Sequence, residues 1–599
     1  MEALEARRKR KRMVRSLWSN FYILSTRSLF FCFFFFFFLF FFSISSDHRF
    51  SFRFRPSLSS SSFSLLYNSA SHSIVHSLTF NQTFLRLPFT LQHRILFPDH
   101  LLLVVTGGEI PRSSELECVY HKLGNLSEQD NNPVLGVLSQ PVISTERYTE
   151  LKFIVRCPIP PTNYSAAAVC LRRRGVEFGD KHRSWELPTK LTTHSWNNLA
   201  YEAYLDGDTV VVFVKGLNLR PHQISDPTQF RCHFGFKNLD KPGGFIFKTK
   251  AISAAQEVIR CSLPRSIAYN ANKAQGFRVT VSRSLQNRRR PINNLMPSVA
   301  TIENRVMKTT TMTKKKKHEL CVCTMVWNQA SALKEWIMYH SWLGVERWFI
   351  YDNNSDDDIE NVIDDLNLEG YNVSRMIWPW IKTQEAGFSH CALRSKQECN
   401  WVGFFDVDEF FFLKNRGHQN ALKSLISNFS SSSELAEIRT ACHNFGPSEL
   451  TSLPKRGVTT EYTCRMKNSE RHKSIVKPEM LDTSLLNVVH HFQLQEGIWS
   501  VQVKEGEGVI NHYKYQVWER FKDKFLRRVA TYVVDWHEDK NKRSKDRAPG
   551  LGTQAVEPPN WRFRFCEVWD TGLKDFVLSH FADHQSGILP WEKSTQEVQ

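Results

Sequence analysis

Three acidic side chains stand close together in one strongly apolar stretch, WVGFFDVDEFFFL at residues 401–413. Asp406, Asp408 and Glu409 follow a hydrophobic run that predicts a buried strand, and a second apolar run follows them. Buried carboxylates without a cationic partner are strongly unfavourable. In an extended chain Asp406 and Asp408 point to the same side, so both can bind one divalent cation that is shared with a diphosphate. The stretch therefore predicts a metal site, and a strand end with capping acids and a surface turn is the alternative.

The segments before this stretch alternate between strand-like and helix-like patterns from residue 318 onward. ELCVCTMVWN, VERWFIYDNNS and YNVSRMIWPW predict strands, while ALKEWIMYHSWLG and DDIENVIDDLNLEG predict amphipathic helices between them. In doubly wound sheets, polar residues at the carboxyl ends of strands line a ligand crevice. We expect Trp327, Asn328 and Asp352 to hold a nucleobase and ribose there. The sequence has no GxGxxG or P-loop motif, which argues against a dinucleotide-binding fold and a Walker ATPase.

The N-terminal region has the pattern of a membrane anchor. Residues 29–42 are apolar without interruption and contain eleven phenylalanines, and a strongly basic segment precedes them. By the positive-inside tendency, we expect a cytosolic tail at 1–20 and a transmembrane signal anchor at 21–45. A cleaved signal peptide is the alternative. The Ser-rich segment 46–108 predicts a stem.

The middle of the chain is rich in short strand-like runs. KFIVRC, DTVVVFVKGLNL, FRCHFGF and EVIRCSLP alternate with turn residues at the spacing of a β-sandwich, so we expect such a module at 109–285. A structural spacer and a glycan-binding module both fit this pattern. The charged segment 286–317 has no apolar periodicity and predicts a linker before the catalytic domain at 318–599.

Charge and cysteine content narrow the possible functions. The formal net charge is +18, but many basic residues lie in the N-terminal block and in the run 314–317, so a nucleic-acid groove is not expected. Of thirteen cysteines, Cys32 lies in the apolar run, which leaves twelve on the predicted lumenal side. Their number permits disulfides without assigning pairs, and no CxxC pair indicates a zinc cluster.

Several long motifs together resemble the plant members of glycosyltransferase family 92. They are TMVWNQASALKEWIMYHSWLGVERWFIYDNNSDD, WIKTQEAGFSHC, WVGFFDVDEFFFL, RHKSIVKP and NHYKYQVWERF, in that order between about residues 319 and 591. The resemblance implies an α/β GT-A (Rossmann-like) catalytic domain, a nucleotide-sugar donor, a divalent metal that is usually manganese, inversion at the anomeric carbon and a single-pass type II Golgi membrane protein. Relatives include plant β-1,4-galactan synthases and animal galactosyltransferases, which favours UDP-galactose as the donor.

The resemblance also implies roles for individual residues. Asp406 and Asp408 look like the DxD ligands of the metal and diphosphate, and His512 in NHYKY resembles a histidine that many GT-A enzymes use as a further metal ligand. Two carboxylates and an imidazole are a suitable donor set for manganese. The candidates for phosphate or donor contacts in the matching motifs are Lys473, Lys514, Gln384 and His390. Glu409 is expected to orient the donor or a metal-bound water.

The catalytic base is less clearly indicated than the metal ligands. Inversion requires a group that takes the proton of the acceptor hydroxyl, and the candidates beyond the acidic stretch are Asp482, Glu461, His443 and His490. Asp482 is the tentative choice. The other function classes are a glycan-binding or scaffold protein with an inactive transferase domain, and a metal-dependent hydrolase. Expected partners are a nucleotide sugar, a glycan acceptor and a lipid bilayer, but no nucleic acid, and both a monomer and a homodimer are open.

Overall fold

We describe the protein from a computed structural model. The structure describes residues 89–107, 112–122, 137–174, 192–236, 245–268, 274–283, 295–302, 317–414, 417–488, 490–532 and 556–592. All of them lie in one compact unit, Leu85–Gln599. Among the helices in these ranges, none has the length and apolar character needed to cross a membrane. The predicted tail at 1–20 and the predicted anchor at 21–45 lie outside the described residues.

Two facing sheets form the first part of the chain. The strands are β1 (Phe89–Leu96), β2 (His100–Gly107), β3 (Leu116–Lys122), β4 (Val137–Pro141), β5 (Ser144–Arg147), β6 (Lys152–Pro158), β7 (Tyr164–Arg173) and β8 (Thr193–Ser195). One sheet has the order β5-β6-β2-β1-β8 and the other β4-β3-β7. Buried residues of both sheets, among them Val105, Tyr120 and Phe153, share one core. The disulfide Cys118–Cys157 joins β3 to β6 and so links the two sheets.

A second β-rich part follows directly. Its elements are β9 (Leu199–Asp206), β10 (Thr209–Lys215), β11 (Ile224–Ser225), β12 (Phe230–Gly235), β13 (Phe245–Ala255), β14 (Val258–Ser262), helix α1 (Arg265–Ala268) and β15 (Arg278–Arg283). The strand order is β15-β12-β13-β14-β10-β9, and β11 pairs with β13. This sheet closes around a core of its own, and the disulfide Cys232–Cys261 joins β12 to β14.

The β-rich region differs from the predicted module at 109–285. β1 and β2 lie inside the predicted stem at 46–108, so that prediction is wrong for residues 89–107. β2 is a central strand that is mostly buried on both faces, and it therefore lacks the polar alternation that would have marked it. Residues 295–302, inside the predicted linker at 286–317, supply Val299, Ala300 and Ile302 to the buried interior. The region also has two cores instead of one.

The remaining residues form an α/β part. Its elements are β16 (His318–Val326), α2 (Ala330–Trp342), β17 (Arg347–Asp352), α3 (Ile359–Leu368), β18 (Val373–Ile377), α4 (Gln384–Ser395), β19 (Cys399–Phe404), β20 (Glu409–Phe412), α5 (Ala421–Ser430), β21 (Leu435–Asn444), α6 (Val458–Glu461), β22 (Cys464–Arg465), β23 (His472–Val476), β24 (Asn487–Val488), β25 (His491–Phe492), β26 (Trp499–Gln502), β27 (Val509–His512), α7 (Trp518–Tyr532), β28 (Val568–Trp569) and α8 (Gly572–Phe581). Short 3-10 helices span Ser113–Glu115, Pro227–Gln229, Pro478–Met480, Trp561–Phe563 and Pro590–Glu592.

The main sheet of this part has the order β18-β17-β16-β19-β23-β21-β27-β20, and β26 pairs with β21. β18, β17, β16 and β19 are parallel, so their carboxyl ends lie along one edge. One face packs on α2 through Leu333, Trp336 and Ile337, which recur at helical spacing. The other face shares a core with both β-rich parts, where Trp196 stacks on Trp380 with ring centroids 5.4 Å apart.

Disulfides also join elements of the α/β part. Cys321–Cys399 connects β16 to β19, Cys323–Cys391 connects β16 to α4, and Cys464–Cys566 connects β22 to the C-terminal segment. Cys170 and Cys442 are free. The structure thus pairs ten of the twelve cysteines that the sequence left unassigned.

Candidate active site

The three acidic residues lie at the connection between β19 and β20. β19 ends at Phe404, Asp406 and Asp408 lie in the connection, and Glu409 begins β20. The connection turns at residues 407–408 and is not extended as expected, so Asp406 and Asp408 contact different partners. Helix α2 supports β20 from behind, because the Trp336 indole donates to the Glu409 carbonyl at 3.0 Å and the Tyr339 hydroxyl to that of Phe411 at 2.6 Å.

Asp406 faces two basic side chains from the neighbouring segments. Its Oδ2 lies 3.1 Å from Lys473 Nζ on β23 and 3.5 Å from His490 Nε2. Lys473 Nζ also lies 2.5 Å from His490 Nε2. Burial opposes ionisation of Asp406, but Lys473 and His490 outweigh it and hold the pKa of this carboxyl well below its ordinary value. Asp406 is therefore an anion, and its side chain is 33% exposed.

Asp408 and Glu409 meet His512. β20 pairs with β27 so that Glu409 and His512 are direct cross-strand neighbours, which places their side chains side by side. His512 Nδ1 lies 3.6 Å from Glu409 Oε1, and His512 Nε2 lies 3.7 Å from Asp408 Oδ1. Lys524 on α7 pairs with the other oxygen of Asp408. These contacts gather one imidazole and two carboxylates at a single point.

Glu409 is the innermost acid of the group. Its side chain is 0% exposed, its Oε1 lies 2.7 Å from Lys473 Nζ, and its Oε2 accepts the Asp406 backbone N–H at 2.9 Å. Burial and the negative charges of Asp406 and Asp408 raise the pKa of Glu409 to about 8. The ammonium of Lys473 acts in the opposite direction and favours the ionised form. A cation bound beside it would favour the ionised form.

The group fits a metal ion of the predicted kind. Ligand atoms of Asp408, Glu409 and His512 all lie within 4.8 Å of one another. Burial lowers the pKa of His512 to about 4, so its imidazole is neutral at physiological pH and has a free lone pair to offer. Carboxylate oxygens with one imidazole nitrogen suit Mn²⁺. Of the three predicted ligands, Asp408 and His512 belong to this group, while Asp406 lies beside it and faces Lys473 and His490.

Four further residues are predicted to contact the donor or its phosphates, namely Trp327, Asn328, Gln384 and Lys514. Trp327 and Asn328 follow β16, where the Asn328 N–H donates to Ser355 Oγ at 3.0 Å and its side chain bonds Asp356. Gln384 is half-buried at the start of α4. Lys514 lies over the Tyr515 ring, 5.0 Å from its centroid, with Nζ 3.9 Å from Glu470 Oε2. Their roles in donor binding remain predictions.

Asp352 does not have the exposure expected of a donor contact. It ends β17 as predicted, but it is 1% exposed, and its Oδ2 lies 2.7 Å from Arg375 NH2. Its Oδ1 accepts the Ser355 N–H at 2.9 Å. Arg375 also contacts Glu146 in the first β-rich part at 3.2 Å. Asp352 is therefore a buried anchor of the loop after β17, and this arrangement does not support the prediction of direct ribose binding.

His390 and Asp482 also need correction. His390 is 1% exposed and lies in the core shared with the β-rich region, where its Nδ1 is 2.7 Å from the Tyr351 hydroxyl. It is on the buried face of α4, and this position does not support a contact with a donor. Asp482 accepts the Ser484 N–H at 2.9 Å and the hydroxyl of the same residue, which is a local turn contact. These contacts give no support to Asp482 as the catalytic base.

The other base candidates lie at different distances from the acids. His490 contacts Asp406, whereas His443 Nε2 lies 3.4 Å from Glu505, and Glu461 accepts the Arg456 N–H at 2.9 Å. Lys524 was not predicted at all. It lies on the charged side of an amphipathic helix, where a lysine is ordinarily solvated, and no signal in the sequence distinguishes it from its neighbours.

The ion pair of Arg375 gives a prediction for stability. Arg375→Met leaves Asp352 buried without its cation, and we expect the free energy of unfolding to fall by about 3–5 kcal/mol. Denaturant unfolding measures the change, with the exposed Arg265→Met as the matched control. Manganese binding should survive in the folded variant, because Asp352 is not part of the acidic group. Equal stability of the Arg375 variant and the control would contradict the anchoring role.

A family model and two relatives among known proteins carry the same family description. Residues 316–548 match the model described as glycosyltransferase family 92. The chain is 57% identical over 519 residues to a glycosyltransferase family 92 protein of Ricinus communis, covering 85% of this chain and 86% of the relative. It is 54% identical over 521 residues to one of Arabidopsis thaliana, with 85% and 86% covered.

Two other similarities are more distant. A galactan beta-1,4-galactosyltransferase of Arabidopsis thaliana is 27% identical over 122 residues, or 17% of this chain and 22% of that protein. Among solved structures, a mannosyltransferase from Pyrobaculum calidifontis in complex with GDP-Man and Mn²⁺ is 9% identical, covers 38% of this chain and 66% of its own, and has a TM-score of 0.22. At that TM-score the structural likeness carries no conclusion.

Proposed function

The chain belongs to glycosyltransferase family 92, and from this premise we propose that it is a metal-dependent, inverting enzyme that moves a sugar from a UDP-sugar to a glycan or polysaccharide. The observation that carries the proposal is the convergence of Asp408, Glu409 and His512 directly after β19. A GT-A catalytic domain, the further part of the proposal, is supported by the parallel strands β18, β17, β16 and β19, whose carboxyl edge leads into this group.

The residues around the proposed metal have distinct tasks. Asp408, Glu409 and His512 would hold the ion, with Asp406 placed to complete its surroundings. When bound, the ion neutralises charge that develops on the departing diphosphate. Lys473 is buried between Asp406 and Glu409 and keeps the two acids together. Lys524 is about a third exposed beside Asp408, so its ammonium is placed to pair with a diphosphate oxygen.

The sugar and the compartment are the finer parts of the proposal. Galactose as the transferred sugar, and a β-1,4-galactan as acceptor, are supported by the partial similarity to the galactan galactosyltransferase. A single-pass type II position in the Golgi membrane is supported by the five disulfides, which are typical of oxidising compartments, and by the apolar run at 29–42. A homodimer stays open. An inactive scaffold is less well supported, because all the candidate metal ligands are present.

UDP release from a panel of UDP-sugars tests this proposal. With Mn²⁺, the purified full-length protein should release UDP from UDP-galactose, and a β-1,4-galactan oligosaccharide should increase the rate. Turnover of His512→Ala should be at least about a hundredfold lower, since removing a ligand weakens binding of the ion that would stabilise the leaving group. His584→Ala, at an exposed histidine, is the control. Folded protein that turns over no donor, with or without acceptor, would move the assignment to a glycan-binding role.

A further inference from the structure

The second β-rich part contacts a segment of the α/β part that has little regular structure of its own. This segment, described at residues 482–488 and 490–492, contains two strands of two residues each, β24 and β25. Arg260 on β14 donates from Nε to the Thr483 carbonyl at 2.7 Å, and Ser253 on β13 donates from Oγ to the same oxygen at 3.1 Å. Both donors are buried. One backbone carbonyl of the segment is therefore held by two side chains of the β-rich region.

Arg260 is itself fixed by residues of the same sheet. Its NH1 lies 2.7 Å from Asp206 Oδ2 and 2.8 Å from Thr209 Oγ1. Asp206 also contacts Lys396, just after α4, at 3.1 Å. The guanidinium thus presents Nε to Thr483 in a fixed orientation, because its NH1 is already bound by Asp206 and Thr209.

The turn between β13 and β14 makes a second set of hydrogen bonds to the segment. Gln256 lies in this turn with a φ of +52°, and its Nε2 donates to the Asn487 carbonyl at 2.6 Å. Its Oε1 accepts the Asn487 N–H at 3.4 Å, so one side-chain amide binds both backbone groups of the residue. Asn487 Nδ2 in turn donates to Ser389 Oγ on α4 at 2.9 Å. Asn487 is consequently fixed from the β-rich region and from α4.

The same segment reaches the acidic group through His490, which contacts Asp406. Asn487 and Val488 pair with His491 and Phe492, and His490 lies at the turn between them. The His490 N–H donates to the Val488 carbonyl at 2.8 Å, and its Nε2 lies 3.5 Å from Asp406 Oδ2. His490, whose imidazole contacts Asp406, is three positions after Asn487, which Gln256 binds. A shift of Asn487 would therefore move His490 relative to Asp406.

We propose that the β13–β14 hairpin is a positioning element of the active site, which holds residues 482–492 so that His490 stays against Asp406. The β-rich region is then neither a passive spacer nor an independent module. The shared core supports this interpretation, since Tyr201 and Phe213 of this part pack on Trp378 of the α/β part. The consequence for turnover depends on the proposed transferase function, whereas the positioning of the segment does not.

Hydrogen exchange of the full-length protein tests the positioning. In the double variant Arg260→Ala with Gln256→Ala, amides in peptides covering 482–492 should exchange about tenfold faster, because their fixed contacts are lost. Exchange in β16 and β19 should not change. Lys250→Ala, at an exposed position on β13, is the control. Replacing Arg260→Ala by Arg260→Lys keeps a cationic donor and should recover part of the protection that Arg260→Ala loses.

Kinetics of the same variants test the consequence. Turnover of the double variant should fall about tenfold while the KM for the acceptor stays within about twofold, because the contact between His490 and Asp406 lies on the proposed donor side. The inference would be overturned by unchanged exchange at 482–492, or by exchange that is equally faster throughout the main sheet of the α/β part. Faster local exchange with unchanged turnover would also overturn it. If the wild-type protein turns over no donor, the proposed function fails, and the exchange result alone still decides whether the hairpin positions the segment.

Discussion

Asp408→Asn should abolish turnover while leaving the protein folded. We expect kcat to fall by at least about 10³-fold, because the variant removes an anionic ligand of the proposed metal ion, which would stabilise the leaving diphosphate. The side chain lies between His512 and Lys524 and is largely buried, so an amide of the same shape keeps the packing. Turnover at saturating Mn²⁺ measures catalysis, and calorimetric titration of Mn²⁺ measures metal binding. The variant should lose both.

The control for this variant is Asp364→Asn, at an exposed position on α3. It removes the same charge from the chain without touching the site, so both turnover and Mn²⁺ affinity should match those of the wild-type protein. A circular dichroism spectrum and unfolding midpoint like the wild-type values would show that Asp408→Asn is folded. An Asp408→Asn enzyme that keeps metal-dependent turnover within tenfold of wild type would contradict the assignment of Asp408 as a ligand.

Lys473→Met should produce the largest loss of stability at the site. Lys473 Nζ lies 3.1 Å from Asp406 and 2.7 Å from the fully buried Glu409, and these carboxylates keep the pKa of Lys473 above its ordinary value against the effect of burial. Removing the ammonium leaves two acids facing each other in a buried place. We expect the free energy of unfolding to fall by about 3–5 kcal/mol in the absence of metal.

Manganese should restore part of this stability. An ion bound at the proposed site of the folded form would supply the positive charge that the variant lacks, so its stabilising effect should be larger in Lys473→Met than in the wild-type protein. Chemical unfolding with and without Mn²⁺ measures the difference, and Lys504→Met, at an exposed lysine, is the control. An equal effect of Mn²⁺ on the two proteins would show that Lys473 does not neutralise the acidic group.

Local pattern was sufficient to predict the order of elements that leads to the site. β16, α2, β17, α3, β18 and β19 occur in the order that the alternation of apolar and amphipathic segments indicates. These patterns follow from burial on one or both faces of each element, which is decided within a few residues of sequence. The same reasoning placed Asp406 and Asp408 after a buried strand, where the structure has them.

The partners of those acids could not be predicted in the same way. Glu409 and His512 are neighbours because of the register between β20 and β27, which depends on how distant strands pair. Lys524 reaches Asp408 because of the position of α7, and its own sequence surroundings suggest only a solvated lysine. Long-range geometry, and not residue type, decides both contacts.

Burial explains why the structure does not support two of the predicted donor contacts. Asp352 lies at a strand end, as ligand-binding residues often do, but Arg375 from the next strand covers it. His390 is part of a motif that matches the family, yet it lies on the face of α4 that packs on the β-rich region. In both cases, sequence position identifies an edge or a helix without showing which side another part of the chain covers.

The most direct test of the metal-dependent site is calorimetric titration of UDP into the full-length protein with and without Mn²⁺. We predict one UDP bound per chain in the presence of Mn²⁺, and binding that is at least about a hundredfold weaker without the metal or in Asp408→Asn, because the acids would hold the ion whose charge attracts the diphosphate. UDP binding of equal affinity with and without Mn²⁺, or no UDP binding by folded wild-type protein, would contradict a metal-dependent nucleotide-sugar site at Asp406, Asp408, Glu409 and His512.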